Sequence, residues 1–258
     1  MNGGIEMKKK SIEDEISNFL NDKDITIMGI AEICTLPRIP DDFSPNTILT
    51  GAKSIICYAV VIPKGIIYAN NNDLVLYWRY CNMVYRSLDM ISNQLCLHLE
   101  EKGSFAIPVY GCYPWKLVNH EFWGILPLVY WAEQAGLGTL TKCGLLANQT
   151  YGSRILLGGV LTTLYLEPTQ KVCDDLCPPD CFDCIEACPV NAINKMGKVD
   201  HNRCIRYSGA NPLMALVLGD RNVKEKFSFE TIVNTVGVDD HGSYLCLECL
   251  KSCPLNNR

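Results

Sequence analysis

The 258-residue chain has no apolar run long enough to span a bilayer, which argues against a membrane-embedded protein. It has no Arg-Arg pair near its start, so a twin-arginine export signal is missing. Residues 1–10 carry Lys8, Lys9 and Lys10 but lead into the polar run Ser11 to Glu15, where a secretory signal would have its apolar core. These absences predict a cytoplasmic protein. An excess of positive charge is lacking too. The formal net charge is −5 and the pI about 5.4, which speaks against a chain whose main work is gripping a phosphate backbone. The three lysines read as a solvated tail. No solenoid-like repeat is visible. Charged residues are only 20% against 48% hydrophobic, a globular balance that excludes a disordered chain.

What the chain has in abundance is cysteine: fifteen, nine of them between Cys173 and Cys253. A small secreted disulfide scaffold would be shorter and would space its cysteines throughout. Crowding at one end points to metal.

Hydrophobic patterning up to about Pro168 alternates helix and strand. Ser11 and Asp14 form a helix-opening pair before Ile12, Ile16, Phe19 and Leu20 at helical spacing, so a helix is expected to end near Asp22 to Asp24. Strands are expected at Ile25 to Ala31, Ser54 to Ile62, Ser104 to Tyr110 and Ile155 to Leu166, with a connection over Pro37 to Pro45. Tyr77, Cys81, Val84, Leu88, Ile91 and Leu95 predict a long helix over Asp73 to Glu101, closed by Gly103. Glu121 to Ala135 predicts a further helix, with Pro127 kinking it or marking a late start. From Thr169 the composition turns to cysteine, proline and aspartate. The predicted organisation is therefore two domains, residues 1–168 and 169–258, packed on each other.

The second part carries the chemistry. Cys177-Pro-Pro-Asp-Cys181-Phe-Asp-Cys184-Ile-Glu-Ala-Cys188-Pro189 ends in C-x2-C-x3-C-P, and Cys246-Leu-Glu-Cys249-Leu-Lys-Ser-Cys253-Pro254 repeats that ending. Two such runs are the bacterial ferredoxin signature, in which the last cysteine of each run ligates the other run's cluster. Close spacing on a tight turn points three thiolates at one cubane, and the proline after the fourth redirects that thiolate outward. The crossed pattern assigns Cys177, Cys181, Cys184 and Cys253 to one [4Fe-4S] cluster and Cys188, Cys204, Cys246 and Cys249 to the other. Cys177 and Cys181 are separated by three residues where two are usual, so Cys173 stays a rival first ligand. Zinc also accepts four-cysteine sites, but does not require the C-x3-C-P endings. Cys34, Cys57, Cys81, Cys96, Cys112 and Cys143 lie in or beside apolar elements and are expected to pack in the core.

The run from Ala135 through Gly136, Gly138, Lys142, Tyr151, Gly152 and Arg154, the following apolar strand and the double cluster motif together resemble the epoxyqueuosine reductase family and its reductive dehalogenase relatives. Leu49 to Ile56 resembles that family's early strand, so the likeness runs from about residue 25 to the end. The resemblance implies an α+β fold: a nitroreductase-like, cobalamin-binding-type α/β N-terminal domain followed by a bacterial-ferredoxin-like two-cluster domain. It implies a corrinoid, cobalamin-like, between the two, held through Gly136, Gly138, Lys142, Gly144, Tyr151, Gly152, Ser153 and Arg154. It also implies electrons delivered by a redox partner of ferredoxin or flavodoxin type. A proton would come from a protein acid, for which Tyr151, Tyr113 and His120 lead, with Tyr110 and Glu121 behind them. Epoxyqueuosine reductases carry an aspartate in a D-S-A-P context before the A-G-L-G segment, where this chain reads Gly124-Ile125-Leu126-Pro127, and Thr141 stands where glycine is frequent. The chain stops five residues past Cys253, short of a helical-repeat tail that would help hold tRNA.

Three functions follow in order: a corrinoid-dependent iron-sulfur oxidoreductase acting on a small molecule, a noncatalytic ferredoxin-like electron carrier, and a tRNA epoxyqueuosine reductase. A nucleic-acid partner is not expected on the first two.

Overall fold

The computed structural model describes residues 11–34, 36–71, 73–112, 115–118, 121–172, 175–208 and 246–257. Helix α1 (Ile12–Asn21) opens on the expected box: the Asp14 amide donates to Ser11 Oγ at 3.2 Å and the Ser11 amide to Asp14 Oδ2 at 3.3 Å. Its buried Ile16 and Leu20 face the long helix α4 (Asp73–Glu100), whose Val84, Leu88, Ile91 and Leu95 form the buried stripe that the spacing predicts.

These two helices cover one face of a four-stranded antiparallel sheet. In spatial order the strands are β1 (Ile27–Glu32), β2 (Ser54–Val61), β8 (Ile155–Thr162) and β3 (Ala106–Val109). The last strand in sequence thus inserts between two earlier ones. Strand β2 is apolar at nearly every position because both its faces are covered. Ile56 and Tyr58 enter the core under α4, while Ile55, Cys57 and Ala59 enter a second core under α5 (Leu128–Gln134). Tyr58 is pinned there by a 2.5 Å hydrogen bond between its hydroxyl and that of buried Ser92 on α4. Strand β3 takes Pro108 without penalty, since it lies at the sheet edge.

One predicted helix is corrected. Glu121–Gly124 is a strand, β5, paired antiparallel with β4 (Trp115–Val118), and helix begins only at Leu128. Pro127 sits at the N-cap, and the two aromatics before Gly124 belong to the hairpin. Short helices α2 (Pro45–Ile48) and α3 (Lys64–Ile67) fill connections, the first beginning at Pro45, the last residue of the stretch expected as a connection. A two-residue hairpin, β6 (Thr139–Leu140) with β7 (Leu146–Ala147), precedes β8.

Beyond Pro168 regular structure is sparse among the described residues: α6 (Asp183–Glu186), α7 (His201–Ser208) and α8 (Glu248–Lys251). This part is stitched to the sheet. Thr169 exchanges two 2.9 Å hydrogen bonds with the Ile30 backbone. Leu247 and Leu250 are buried in the α4-side core, and Lys251 Nζ lies 2.7 Å from Asp73 Oδ2 at the start of α4. No helix among the described residues is long and apolar enough to cross a membrane.

Candidate functional site

The cysteine runs fold into two short helical turns, α6 and α8, packed beside each other. Cys177, Cys181 and Cys184 from the first run and Cys253 from the second line one partly open pocket. Its other walls include Thr141, Cys143, Pro178, Pro254 and Leu255. Around Cys204 a second group gathers. Burial raises the Cys204 thiol, and the nearby Cys246 and Cys188 raise it further, while Cys249 feels Cys204 and Cys246. Cys188 Sγ also accepts a hydrogen bond from the Ala192 amide at 3.2 Å. The first run thus supplies Cys177, Cys181 and Cys184, and the second its last cysteine, Cys253, to one pocket.

The sulfurs of the first group are spread around a space rather than gathered on a point. Among the described residues, no three His, Cys, Asp or Glu side chains converge as ligands of one metal ion. A tetrahedral zinc site needs all its thiolates about 2.3 Å from a single centre. An all-sulfur donor set around a cavity walled by proline and leucine fits a cubane. Cys173, the rival first ligand, lies outside the described residues.

Lys142 explains how the first loop is held. Its ammonium donates to the carbonyls of Pro178 (2.6 Å), Pro179 (2.9 Å) and Cys181 (2.8 Å) and lies over the Phe182 ring. Three carbonyls turned toward one cation fix a proline-interrupted loop that has few backbone bonds of its own.

Cys143 is a correction to the core assignment. The β6–β7 turn carries it into the cysteine cavity, where it is buried yet hydrogen-bonded to Cys184, from one group, and Cys249, from the other. Those bonds hold Cys143 well below the ordinary thiol range and push Cys184 and Cys249 well above it. The one available signal was its position beside Lys142. Cys34 is likewise not a core residue, being exposed. Cys57, Cys81 and Cys96 are buried as expected, and burial pushes Cys81 and Cys96 up to about 12.

The residues that the resemblance gave to a corrinoid lie at the seam between the sheet and the cysteine segment, engaged with the protein's own backbone. A Cβ on Gly136 would sit 2.4 Å from the Gln170 carbonyl oxygen, one on Gly138 2.0 Å from that of Ala147, and one on Gly152 2.4 Å from that of Leu255. The Ser153 amide and hydroxyl both donate to Asn256 Oδ1, at 2.7 and 3.2 Å. Buried Arg154 donates to the Ile62 carbonyl at 2.7 Å. Gly144 is the positive-φ corner of the β6–β7 turn, and half-buried Tyr151 packs on the α5-side core. The cradles these glycines make are filled by the protein's own peptide groups. Tyr113 and His120 lie outside the described residues, and Tyr110 is exposed. Where the resemblance would put an acid, Leu126 is buried in apolar surroundings.

No family model matches the chain. In fold it is like epoxyqueuosine reductases and reductive dehalogenases. The structure of the epoxyqueuosine reductase of Streptococcus thermophilus superposes with a TM-score of 0.62 over 96% of this chain and 67% of that one, at 20% identity. An epoxyqueuosine reductase solved with an epoxyqueuosine-modified tRNA-Tyr stem loop gives 0.60 over 95% and 65%, also at 20%. A reductive dehalogenase whose structure suggests a mechanism for B12-dependent dehalogenation gives 0.51 over 81% and 31%, at 15%.

In sequence the chain resembles epoxyqueuosine reductases in particular. That of Synechocystis sp. is 41% identical over 80 residues, 30% of this chain and 26% of the relative. That of Bacillus subtilis is 33% identical over 181 residues, 66% and 43% respectively. The matches therefore span between about a quarter and less than half of these relatives.

Proposed function

We propose that the chain is an iron-sulfur reductase of the epoxyqueuosine reductase type, with a nitroreductase-like part up to residue 168 and a ferredoxin-like part after it. The observation that carries the reading is that the last cysteine of the second run, Cys253, lines one pocket with Cys177, Cys181 and Cys184 of the first, as a crossed two-cluster pattern would require. Cys177, Cys181, Cys184 and Cys253 would hold one [4Fe-4S] cluster, and Cys188, Cys204, Cys246 and Cys249 the other. Bound clusters supply one-electron transfer at a potential tuned by burial and hydrogen bonds. The chain's own residues do the rest: Lys142 holds the first loop, Pro254 and Leu255 limit water, and Asn256 anchors the segment after Cys253 to Ser153. Electrons would arrive from a ferredoxin- or flavodoxin-type partner.

The substrate we propose is epoxyqueuosine in tRNA, on the strength of the curated relatives and of the relative solved with a modified stem loop. This reverses the order in which sequence alone ranked the functions, and it makes a nucleic acid the expected partner. A corrinoid as a further cofactor is supported only by the structural relative described as carrying out B12-dependent dehalogenation. The alternative, an electron carrier without its own catalysis, is favoured by one observation, the apolar Gly124–Pro127 stretch.

The test uses the full chain reconstituted without oxygen, given a strong reductant, cobalamin and a stem loop bearing epoxyqueuosine. About eight irons per chain and conversion to queuosine by mass spectrometry are expected. Full iron without conversion selects the carrier, and about four irons, or zinc, overturns both.

A further inference from the structure

Helix α4 buries one face and leaves the other to solvent. On that outer face Leu76, Met83, Met90 and Leu97 recur at intervals of seven residues, and they are 43%, 59%, 63% and 63% exposed. Exposed apolar side chains scattered singly are ordinary. A seven-residue apolar repeat kept over most of a long helix instead marks a seam where a second helix packs. The fold of the chain itself does not require it, because Val84, Leu88, Ile91 and Leu95 already supply the stripe toward the core.

The residues flanking the seam say what meets it. Three positions after each apolar residue come exposed Arg79, Arg86, Asn93 and Glu100, with exposed Glu101 following. The outer face is therefore basic in its first half and acidic at its end. Lys102, which would offset that acid, is drawn to Glu15 at 2.6 Å. Two copies laid parallel would set arginine on arginine and glutamate on glutamate. Laid antiparallel about a twofold axis at Met90, they set Met83 against Leu97 of the second copy, Arg86 beside its Asn93 and Arg79 beside its Glu100. The same patch then serves both copies, as a twofold interface requires. The aliphatic stems of the arginines widen the narrow seam, and methionine at its centre adapts to its opposite number.

We propose that the outer face of α4 is the interface of an antiparallel homodimer of this chain. Its two Arg79–Glu100 pairs, lying at the rim, fix orientation more than they add strength.

The experiment is sedimentation velocity on the full chain over a series of concentrations, kept reduced and oxygen-free so that exposed Cys34 does not cross-link it. Wild type should show a monomer–dimer equilibrium. Met90→Glu brings two carboxylates together at the axis and should weaken dimerisation by roughly tenfold or more, with the far-ultraviolet circular dichroism unchanged. Arg79→Glu should weaken it by about fivefold, and Arg79→Glu combined with Glu100→Arg should recover most of that loss. The charge pair decides the matter even if Met90→Glu does not fold. A wild type that stays monomeric, or a dimer that folded Met90→Glu leaves intact, overturns the proposal. A dimer indifferent to Arg79→Glu, or one that the double reversal fails to restore, overturns the antiparallel arrangement.

Discussion

At the residue scale, Lys142 and the cysteines make separable predictions. The Lys142 ammonium satisfies three carbonyls of the first cysteine loop. Hydrogen bonds to a charged group contribute about 1.5–3 kcal/mol, and the site is partly open to water, so Lys142→Ala should destabilise the loop by about 2 kcal/mol. That corresponds to iron release from one cluster faster by about thirtyfold, read as bleaching of the cluster absorbance under a chelator. Equal rates in the variant and wild type would show that the loop holds itself. The other cysteines sort by burial. Alkylation needs the thiolate, which at Cys81 and Cys96 forms only near pH 12 because burial disfavours the charge. On brief treatment of the cluster-loaded protein at pH 8, maleimide should modify exposed Cys34 and spare Cys57, Cys81 and Cys96, as peptide mass mapping would show. Of this site, the two cysteine runs were legible in the sequence because ferredoxin-type motifs write their spacing locally. The place of Cys143 beside them was not: it depends on where a hairpin turn lands in space, and spacing within one segment carries no such information.

At the element scale, legibility followed periodicity. Helix α4 and strand β2 were readable because a one-sided stripe and a doubly buried strand leave strong patterns. The β4–β5 hairpin was not, because a four-residue strand ending at Gly124 runs straight into the apolar start of α5, and the two merge into one apparently helical stretch. The glycines between α5 and β8 were only half legible for a related reason. Glycine marks close approach, but sequence cannot say to what. Gly152, at φ +61°, faces the Leu255 carbonyl and Asn256 Oδ1, directly after Cys253. A methyl group there would have to displace backbone, and left-handed φ is strained for alanine as well. Gly152→Ala should therefore shift the 3-10 turn at Pro254–Asn257 and with it Cys253, lowering iron toward about four per chain while the second group stays loaded. Unaltered iron content would mean that the turn after Cys253 gives way without moving the thiol.

At the scale of the whole molecule, the question is whether the cysteine segment and the sheet fold as one. The contacts that join them are distributed rather than local. Leu247 and Leu250 sit in the core under α4, Thr169 pairs with β1, Asn256 accepts from Ser153 next to β8, and Lys251 meets Asp73. The ion pair is partly exposed, and such pairs contribute only about 0–1 kcal/mol. The two leucines matter more, since each buried side chain contributes about 1.5–3 kcal/mol. Metal bound to the native fold and not to the unfolded chain adds its binding free energy to whatever is cooperative with the site. If the leucines make the segment part of the sheet's core, stripping iron must lower the melting temperature of the sheet and α4, and not only loosen the cysteine loops. Thermal unfolding followed by circular dichroism in the far ultraviolet, with and without a chelator and under reducing, oxygen-free conditions, should show the main helical transition moving down by several degrees. Leu250→Ala should shrink that difference, because it cuts the connection while leaving all eight cysteines in place. A helical transition indifferent to iron would instead mean that the sheet and the cysteine segment melt as independent units, with α8 merely resting on α4.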